Sequence, residues 1–578
     1  MSDALPRNDL SAPLDQLHSN ERVKHESRQL RGTVDSSLAD AATGAVDETD
    51  TLLTKFFGIY QQDDRDLREE RRRAKLEPRY QFMVRVRLPG GVCLPHQWLA
   101  LDALARAHAG NTLRLTTRQT FQFHGIRKHQ LRAHLQGLHA VGLDTIAACG
   151  DDNRNVICTA NPLLSPAHAA VSELAQRIGK HLLPRTGAYR EVFLGEPAVT
   201  PDAGPEEPLY GTTYLPRKFK IALAVPPRND VDVFAHDLGF IAVIEDGRLI
   251  GYNVLAGGGM GMTHNQPQTF PRLSEPVGLC RPEDVLAVAE HAMCIQRDFG
   301  DRRDRAHARF KYTIEDRGIP WFRAELERRL GRALDEARLV RFTTSADPSG
   351  WEESADGLWH FALHVPNGRL ADRPGTAWLA GMREIAALHK GVFALTTNQN
   401  VIIAGVAEGE RPKIQTLLQE HGLTQAQPRD ALRAQAMACV ALPTCGLAMA
   451  ESERYLPSLL DKIASVLAGL GLSEQPISVR MSGCPNGCSR PFLAEIALVG
   501  KAPGRYDLYL GASPSGQRLN VLYRQTLGEA RILEELRAVL SRYARERHEG
   551  EAFGDFVTRA AIVAPPDALD ARLRARQA

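Results

Sequence analysis

The sequence has no excess of one charge, no long apolar run and few cysteines for its length. Its 578 residues include 71 Lys and Arg against 69 Asp and Glu, a formal net charge of only +2. This balance argues against attraction of the whole chain to nucleic acid or to an anionic membrane. No apolar stretch approaches the ~18 residues of a membrane span. Residues 1–20 are polar, without the apolar segment of a secretory signal. We therefore expect a cytoplasmic protein that binds neither nucleic acid nor membrane.

Cysteine is scarce as well, with nine among the 578 residues. An odd and sparse set argues against a framework of disulfide bonds and for mostly reduced thiols. In other respects the composition is that of a folded globular protein, with 43% hydrophobic and 24% charged residues. The length predicts about three or four domains. Helix and strand patterns interleave along the chain, which predicts a mixed α and β fold.

Two stretches of the chain repeat the same order of elements. Leu115–Gln119 (LTTRQ) recurs 280 residues later as Leu395–Gln399 (LTTNQ). Upstream of each run lies a helix-length segment, and before it a strand pattern that ends in a turn, Pro89–Gly91 in the first copy and Pro366–Gly368 in the second. Three elements in the same order predict a duplicated unit with pseudo-twofold halves. Their interface would suit a large ligand.

Four of the cysteines form two pairs, Cys439 and Cys445 with C-x5-C spacing and Cys484 and Cys488 with C-x3-C spacing. Paired thiolates select zinc or iron–sulfur centres. Structural zinc sites use shorter knuckles in polar surroundings, whereas the first pair lies among small apolar residues, so the pattern favours a [4Fe–4S] cluster. The Pro-Asn-Gly turn of the second pair can present backbone amides to sulfur. Zinc and four plain buried thiols remain as alternatives. The other cysteines match no ligand motif: Cys93, Cys149, Cys158, Cys280 and Cys294.

These motifs carry a resemblance to a known family. Residues 438–457 (ACVALPTCGLAMAESERYLP) and 479–511 (VRMSGCPNGCSRPFLAEIALVGKAPGRYDLYLG) resemble the sirohaem and [4Fe–4S] nitrite and sulfite reductases. The resemblance spans nearly the whole chain, through KHESRQLRGT, YQQDDRD, RLPGG, LTTRQTFQFHG, NRNV, TYLPRKFK and GEAFGDFVTRA. The chain departs from the family pattern at Gly446, Ser482 and Ser489–Pro491, which puts the local packing and potential of the cluster in question.

The resemblance implies a multidomain, mixed α/β (α+β) fold. In it, two pseudo-twofold ferredoxin-like half-domains combine with two α/β domains around a sirohaem. It also implies a division into five parts. These are an N-terminal arm that is mobile or ordered by a partner, a first half-domain, a sirohaem- and substrate-binding domain, a second half-domain, and a cluster- and sirohaem-binding domain. The expected bounds are residues 1–79, 80–146, 147–346, 347–425 and 426–578.

The resemblance further implies which residues hold the cofactors and substrate. Cluster ligands would be Cys439, Cys445, Cys484 and Cys488, and the Cys488 thiolate would also be the axial ligand of the sirohaem iron. Residues that match the substrate-binding set of the family are Arg85, Arg154, Lys218 and Lys220. Residues implied to contact sirohaem are Arg114, Thr116, Arg118, Gln122, His124, Arg217, Gln399 and Asn486. Buried cations suit both ligands because sulfite is an anion and sirohaem carries eight carboxylates.

The two copies differ in charge at equivalent positions. The first has Arg114, Arg118 and His124 where the second has Ala394, Asn398 and Ala404. We expect the first copy to face substrate and carboxylates and the second to support the macrocycle. His124 alone could be an axial haem ligand or a hydrogen-bonded structural residue, but the thiolate bridge makes the axial role unnecessary.

The implied activity is the six-electron reduction of sulfite to sulfide, in sulfate assimilation and cysteine biosynthesis. The glycine run at 257–261 lacks the G-x-G-x-x-G spacing of a nucleotide site. It reads either as a loop in close backbone contact with the macrocycle or as a plain flexible turn. Electrons must therefore come from another protein. The resemblance implies a flavoprotein (alpha) subunit that carries FAD and FMN and uses NADPH. Two alternatives are open: the same machinery reducing nitrite to ammonia, and a zinc-stabilised binding module without redox chemistry.

Overall fold

The computed structural model describes residues 12–197, 206–424, 427 and 430–564. Helices and strands of the first part are α1 (Ser19–Glu26), α2 (Val34–Ala39), α3 (Glu48–Leu53), β1 (Ile59–Asp63), α4 (Arg68–Arg73), β2 (Tyr80–Arg85), β3 (Val92–Cys93), α5 (Pro95–His108), β4 (Leu113–Leu115), β5 (Phe121–Ile126) and α6 (Leu131–His139). Those of the middle domain are β6 (Ile157–Cys158), α7 (Pro166–His181), β7 (Ile221–Ala224), β8 (Leu238–Glu245), β9 (Arg248–Ala256), β10 (Glu275–Cys280), α8 (Val285–Phe299), α9 (Phe310–Arg317) and α10 (Ile319–Leu330).

The later parts continue the alternation of helices and strands. Those of the second half-domain are β11 (Gly350–Glu353), β12 (Trp359–Leu363), β13 (Arg369–Leu370), β14 (Asp372–Arg373), β15 (Thr376–Ala377), α11 (Trp378–Leu388), β16 (Val392–Leu395), β17 (Val401–Val406) and α12 (Arg411–Glu420). Those of the last part, called here the cysteine-bearing domain, are α13 (Ala431–Ala434), β18 (Ala436–Ala438), α14 (Leu456–Gly469), β19 (Val479–Ser482), β20 (Ile496–Ala502), β21 (Arg505–Leu510), β22 (Val521–Leu527), α15 (Glu529–Glu546) and α16 (Phe553–Arg559).

The two half-domain sheets have the same topology and exchange one strand. The first sheet has the order β1-β2-β5-β4-β13 and the second has the order β11-β12-β17-β16-β3. Strand β13 of the second copy therefore completes the first sheet, and β3 of the first copy completes the second. The duplication predicted from the repeated LTT run is confirmed, and the exchanged strands join the halves into one unit.

Glycine is required where each exchanged strand begins. Gly91 and Gly368 both have positive φ, +70° and +72°. A Cβ on Gly368 would lie 2.3 Å from Leu115 O, and a Cβ on Gly91 would lie 2.8 Å from the Gln119 side chain. Each proline–glycine turn thus packs against an LTT loop, at a distance that only glycine allows.

The middle and cysteine-bearing domains are also built alike. Their sheets have the orders β6-β7-β8-β9-β10 and β18-β19-β20-β21-β22. In both, the first two pairings are parallel and the last two are antiparallel. Pseudo-twofold symmetry therefore extends beyond the half-domains, although the sequences of these strands do not repeat.

The N-terminal segment is packed on the middle domain from His18 onward, where His18 N donates to Arg302 O (2.9 Å), unlike the mobile arm expected from its polar sequence. Fully buried Lys24 pairs with Glu21 (2.6 Å) and donates to Leu215 O (2.8 Å). Arg302 also pairs with Glu21. The polar sequence of this segment was misleading, because buried polar contacts such as Arg302 with Glu21 and Lys24 with Leu215 O attach it to the middle domain. Strand β1 lies in the first sheet, so that sheet crosses the expected boundary at residue 79. Residues 1–11 lie outside the described part.

A helix that spans a membrane must be about 20 residues long and mostly apolar. Among the residues the structure describes, no helix is long and apolar enough to cross a bilayer.

Candidate functional site

One face of the first half-domain sheet carries three predicted site residues side by side. Arg85 lies opposite Gln122 on the neighbouring strand, and Gln122 lies opposite Arg114. Residues paired across adjacent strands point to the same face, so the three side chains form a polar row. The Gln122 amide faces the Arg85 guanidinium, and because a guanidinium only donates, the amide oxygen is assigned to that side. Arg85 Nη1 also contacts Cys149 Sγ at 2.7 Å and Ala148 O at 3.3 Å.

Arg114 connects this face to the cysteine-bearing domain. Its Nε donates to Glu453 Oε2 (3.0 Å) and its Nη2 to Ala438 O (3.0 Å), next to Cys439. Glu453 also binds Arg369 at 2.7 Å. Although burial raises the pKa of Glu453, Arg369 and Arg114 lower it more, so this carboxylate is charged. The guanidinium of Arg114 is therefore paired with the carboxylate of Glu453.

His124 lies on the same face as Gln122, two residues further along β5. It is buried, and neither ring nitrogen has a hydrogen-bond partner among the described residues. Burial and the nearby Arg369, Arg114 and Arg85 hold the pKa of His124 well below its usual range. The neutral ring has one donor and one acceptor to offer. Buried polar groups are ordinarily paired, so His124 is suited to contact a bound group.

Lys218 and Lys220 lie just before β7 in the middle domain, and the alternation of an extended chain puts their side chains on the same side. Both side chains lie deep in the protein yet keep part of their surface exposed, as residues lining a cavity do. Burial, Lys220 and Arg217 lower the pKa of Lys218 well below its usual range. Burial, with help from Arg118 and against the effect of Asp237, lowers the pKa of Lys220 to about 7. These shifts show that several cations share one poorly solvated region.

Arg154 and Arg217 extend the same basic region. Arg154 donates to Gly150 O (2.9 Å) and to Ala148 O (3.1 Å), the carbonyl that Arg85 also contacts. Arg217 lies 3.7 Å from Asp151. Burial lowers the pKa of Arg217 to about 9, with Arg305 adding to the effect and Asp151 opposing it. The structure therefore brings all four predicted substrate cations to one region, which also holds Arg217.

The two LTT loops have the same backbone but hold different side chains. In each, the glutamine has positive φ, Gln119 at +49° and Gln399 at +71°. Gln119 donates to Cys158 O (2.6 Å), and Gln399 donates to Ala438 O (2.9 Å). Gln399 thus reaches the cysteine-bearing domain, and its Oε1 is buried without a partner among the described residues.

Arg118 and Thr116 shape the first of these loops. The Thr116 hydroxyl accepts from the Arg118 backbone N–H (3.2 Å). The Arg118 guanidinium donates to Asn155 O and lies 3.3 Å from His236 Nδ1. Burial, with Arg154 and Arg490, lowers the pKa of Arg118 to about 9. Arg118 therefore points from the first half-domain toward the basic region of the middle domain.

The four paired cysteines lie on two loops that leave neighbouring parallel strands, β18 and β19. Parallel strands end at the same sheet edge, which brings the loops together. The Gly483 N–H donates to Cys439 Sγ at 3.2 Å. Burial and nearby Cys488 raise the pKa of the Cys439 and Cys484 thiols to about 12. Cys488 differs from the other three because its side chain is exposed.

A single bound metal ion would need several ligand side chains that converge on one point. Among the described residues, no three Cys, His, Asp or Glu side chains converge closely enough to hold one. The ligands of a [4Fe–4S] cluster each bind a different iron atom, so they do not have to converge on one point.

The loop of Cys484 and Cys488 packs against the glycine run of the middle domain. Met262 N donates to Pro485 O (2.9 Å), and a Cβ on Gly487 would lie 3.3 Å from Met260 O. Asn486 accepts from Arg309 at 3.4 Å. A Cβ on Gly261 would lie 1.7 Å from the Arg309 guanidinium. The glycine run therefore permits close approach to a cysteine loop and a cation, whereas its predicted contact with the macrocycle stays a prediction.

Arg309 belongs to the basic region although sequence reasoning missed it. Burial lowers its pKa, while Tyr312 and Asp237 oppose this effect. Arg305 was also missed and pairs with Asp151 at 2.9 Å. Both lie in the basic run at residues 302–311 (RRDRAHARFK), which was the available signal.

These residues fit the two groups that the sequence suggested. The basic region gathers six cations, and in all of them except Arg154 the pKa is lowered, by burial first and then by neighbouring cations, so a bound polyanion would be stabilised there. The members are Arg118, Arg154, Arg217, Lys218, Lys220 and Arg309. Unpartnered buried nitrogens of His124, Arg118 and Arg217 remain to contact it. Four neighbouring cysteines supply the thiolates of a cluster.

Comparison with known families agrees with this arrangement. The family model described as the nitrite/sulfite reductase ferredoxin-like half domain matches residues 74–141 and 352–421. The model described as the nitrite and sulphite reductase 4Fe-4S domain matches residues 174–334. That second match falls on the middle domain, which contains none of the four paired cysteines but has the sheet topology of the domain that does.

Individual relatives cover nearly the full chain. A protein named sulfite reductase [NADPH] hemoprotein beta-component from Chromohalobacter salexigens is 60% identical over 559 residues, covering 95% of this chain and 96% of the relative. One of the same name from Afipia carboxidovorans is 56% identical over 561 residues, covering 96% of each. The solved structure of Mycobacterium tuberculosis NirA protein matches with a TM-score of 0.76 and 24% identity, over 94% of this chain and 97% of that one, which supports the fold. The chain therefore belongs to the nitrite and sulfite reductase family with sirohaem and a [4Fe–4S] cluster, in the group of sulfite reductase hemoprotein beta-components.

Proposed function

We propose that this chain reduces sulfite to sulfide. The observation that carries the proposal is that Arg85, Arg154, Lys218 and Lys220 lie in one poorly solvated region, with Lys220 near enough to Cys488 for their charges to interact. Four cations in a poorly solvated region bind a small anion strongly. Support also comes from relatives that are 60% and 56% identical and carry the name sulfite reductase.

Each residue set has a distinct task in this proposal. The four paired cysteines would hold the [4Fe–4S] cluster, with Cys488 also assigned to the sirohaem iron, and these groups would supply single electrons for a reduction that needs six. The four substrate cations orient the anion and stabilise charge on its oxygens. Lys220, whose pKa is about 7, can donate a proton from Nζ near neutral pH.

The residues around the macrocycle divide by origin. From the first half-domain, His124 and Arg118 offer free polar atoms to sirohaem, with Arg114, Thr116 and Gln122 shaping the face behind them. Arg217, from the middle domain, adds its Nε, which also has no hydrogen-bond partner among the described residues. Gln399 and Asn486 approach from the side of the cysteines. We assign all eight to sirohaem binding and the four paired cysteines to the cluster.

The electron donor is proposed to be a flavoprotein subunit that uses NADPH. Support comes from the relatives' names, in which NADPH is the reductant and the chain is a beta-component.

All nine cysteines are free and lie within the described residues, as expected in a reducing compartment. This supports a cytoplasmic location.

Product analysis of the purified protein tests the proposal. With a chemical reductant in place of the partner, sulfide formed from sulfite and ammonia formed from nitrite would be measured in parallel. We expect kcat/KM to be larger for sulfite. A much larger kcat/KM for nitrite would assign the enzyme to nitrite reduction, and a colourless protein without acid-labile sulfide would refute both.

A further inference from the structure

Arg490 contacts both copies of the duplicated unit from a position two residues after Cys488. Its Nη1 donates to Thr117 O (3.2 Å) in the first LTT loop, and its Nη2 donates to Thr397 O (3.1 Å) in the second. These two carbonyls are equivalent positions in the repeat. Arg490 is buried and has a positive φ of +51°. Its guanidinium therefore lies between the half-domains, next to a predicted cluster ligand.

A carboxylate from the middle domain holds this guanidinium in place. Asp232 Oδ2 accepts from Arg490 Nε (2.5 Å) and from Arg480 Nη1 (2.6 Å). Asp232 is fully buried and has φ of +49°. Although burial raises the pKa of Asp232, Arg480 and Arg490 lower it more, so the carboxylate is charged. Removing one partner from such a buried network leaves an uncompensated charge, which is costly.

The peptide of Cys488 is tied to the same set of groups. Thr117 Oγ1 donates to Cys488 O (3.1 Å), and Arg480 donates to Arg490 O (3.2 Å). Arg490 N donates to Gly487 O (3.0 Å), which closes the turn around Cys488. Three other parts of the chain thus meet this short turn: both LTT loops and the segment of Asp232.

We propose that Arg490, held by Asp232, is a positioning residue that fixes Cys488 relative to the first half-domain face. This role rests on the proposed function, in which Cys488 joins the cluster to the sirohaem iron. A guanidinium is needed because it makes three contacts in different directions from one rigid plane, and an ammonium cannot reproduce that fork. Displacing Cys488 would change how the two groups are coupled while leaving the cysteines present.

Ser489 also holds the turn around Cys488, so the positioning role of Arg490 can be tested separately from folding. Ser489 Oγ donates to Met481 O (2.8 Å) and lies 2.7 Å from Ser482 Oγ. These bonds hold the turn to β19 within its own domain. A conservative change at Arg490 should therefore leave the cysteine-bearing domain folded.

The test compares Arg490→Lys, Arg490→Met and Asp232→Asn in the full-length holoenzyme. Arg518→Met is the matched control, since Arg518 pairs with Asp555 (2.6 Å) and donates to Gly511 O (2.9 Å) in the same domain. Iron, acid-labile sulfide and sirohaem per chain, the absorption and electron paramagnetic resonance spectra, and sulfite turnover would be measured. If Arg490→Met does not fold, Arg490→Lys decides.

We expect Arg490→Lys to retain cluster iron and sirohaem but to alter the resonance signals of cluster–haem coupling. Its kcat should fall about 10- to 100-fold, as for a displacement of roughly 1 Å, with KM for sulfite within about twofold because Arg490 contacts none of the four substrate cations. Arg518→Met should match the wild type. Wild-type coupling signals and turnover in Arg490→Lys would overturn the positioning role. Absence of sulfite reduction in the wild type would instead refute the proposed function.

Discussion

The two half-domain sheets present equivalent faces with opposite chemistry. Arg85, Arg114, Gln122 and His124 line the first face. By register, their counterparts in the second sheet are Ala362, Ala394, Ile402 and Ala404. Those four residues form an apolar cluster with Ala160 and Leu163. One backbone plan thus produces a polar face that can hold an anionic cofactor and a closed apolar face that cannot.

The loops beside the two faces show the same division. Arg118 reaches across to the basic region of the middle domain. Its counterpart Asn398 donates to Ser345 O (3.0 Å) and Asp347 Oδ1 (2.9 Å) and accepts from Arg490 Nη2 (3.4 Å). The covering segments differ too. The loop after β18 carries Cys439 and Cys445, while the loop after β6, its equivalent, supplies Ala160 and Leu163 to the apolar cluster. In this duplicated fold, one side therefore carries the polar groups of the proposed site, and the other side is filled by apolar packing.

The largest effect is expected where the covering segments differ. Cys488→Ser should abolish sulfite reduction, because the exposed thiolate is the proposed link between cluster and haem. Its control is Cys158→Ser, at the strand end equivalent to Ala438 in the other domain, which should keep turnover within about twofold since that thiol is buried and assigned no ligand role. Sulfide production by both variants would be measured. Six-electron activity retained in Cys488→Ser would contradict the link.

Replacing polar residues of the first half-domain by their counterparts in the second should remove sirohaem from the first face. The double variant Arg118→Asn and His124→Ala copies the residues of the second sheet, and we expect sirohaem per chain to fall by about tenfold or more because charge-assisted contacts to the carboxylates are lost. The absorption spectrum measures this directly. Ala404→Ser on the apolar face is the control and should bind sirohaem as the wild type does. Full occupancy in the double variant would remove these two residues from the cofactor site.

A smaller effect concerns the charge of Lys220. Its pKa is lowered to about 7, so its ammonium is present below that pH and is lost as pH rises through it. Anion binding should weaken accordingly, and KM should rise above about pH 7. Nitrite is the better probe because its own charge does not change in this range. Lys220→Gln should remove the pH dependence, and a flat KM for nitrite in the wild type would contradict the assignment.

The smallest effect is expected in the second copy. Asn398→Ala removes one donor to Asp347 and should cost about 1 kcal/mol, seen as a fall of a few degrees or less in Tm. Sulfite turnover should stay unchanged, because Arg490 loses only a long contact (3.4 Å) and keeps its shorter bonds to Asp232, Thr117 O and Thr397 O. Thermal unfolding and steady-state kinetics would be measured together. A loss of turnover as large as that of the double variant would show that the second loop also serves the reaction.

The sequence predicted the parts of the site that lie in local motifs. Cysteine spacing favoured a [4Fe–4S] cluster, the family resemblance implied its ligands and the substrate cations, and the LTT repeat predicted the duplication. Contacts between segments far apart in the chain were not predictable. Asp232 and Arg490 meet across 258 residues, and strand exchange between the half-domains leaves no local pattern. The N-terminal segment was misjudged for a related reason, since the partners of its buried Lys24 lie partly in the middle domain.

Cofactor stoichiometry tests the central claim most directly. Two equivalent faces exist, and the account assigns a cofactor to one of them. Iron and sirohaem determined on the purified wild-type protein should give one sirohaem and about five iron atoms per chain, one in the macrocycle and four in the cluster. Two sirohaems per chain, or none, would contradict the claim that only the first face is built to hold this group.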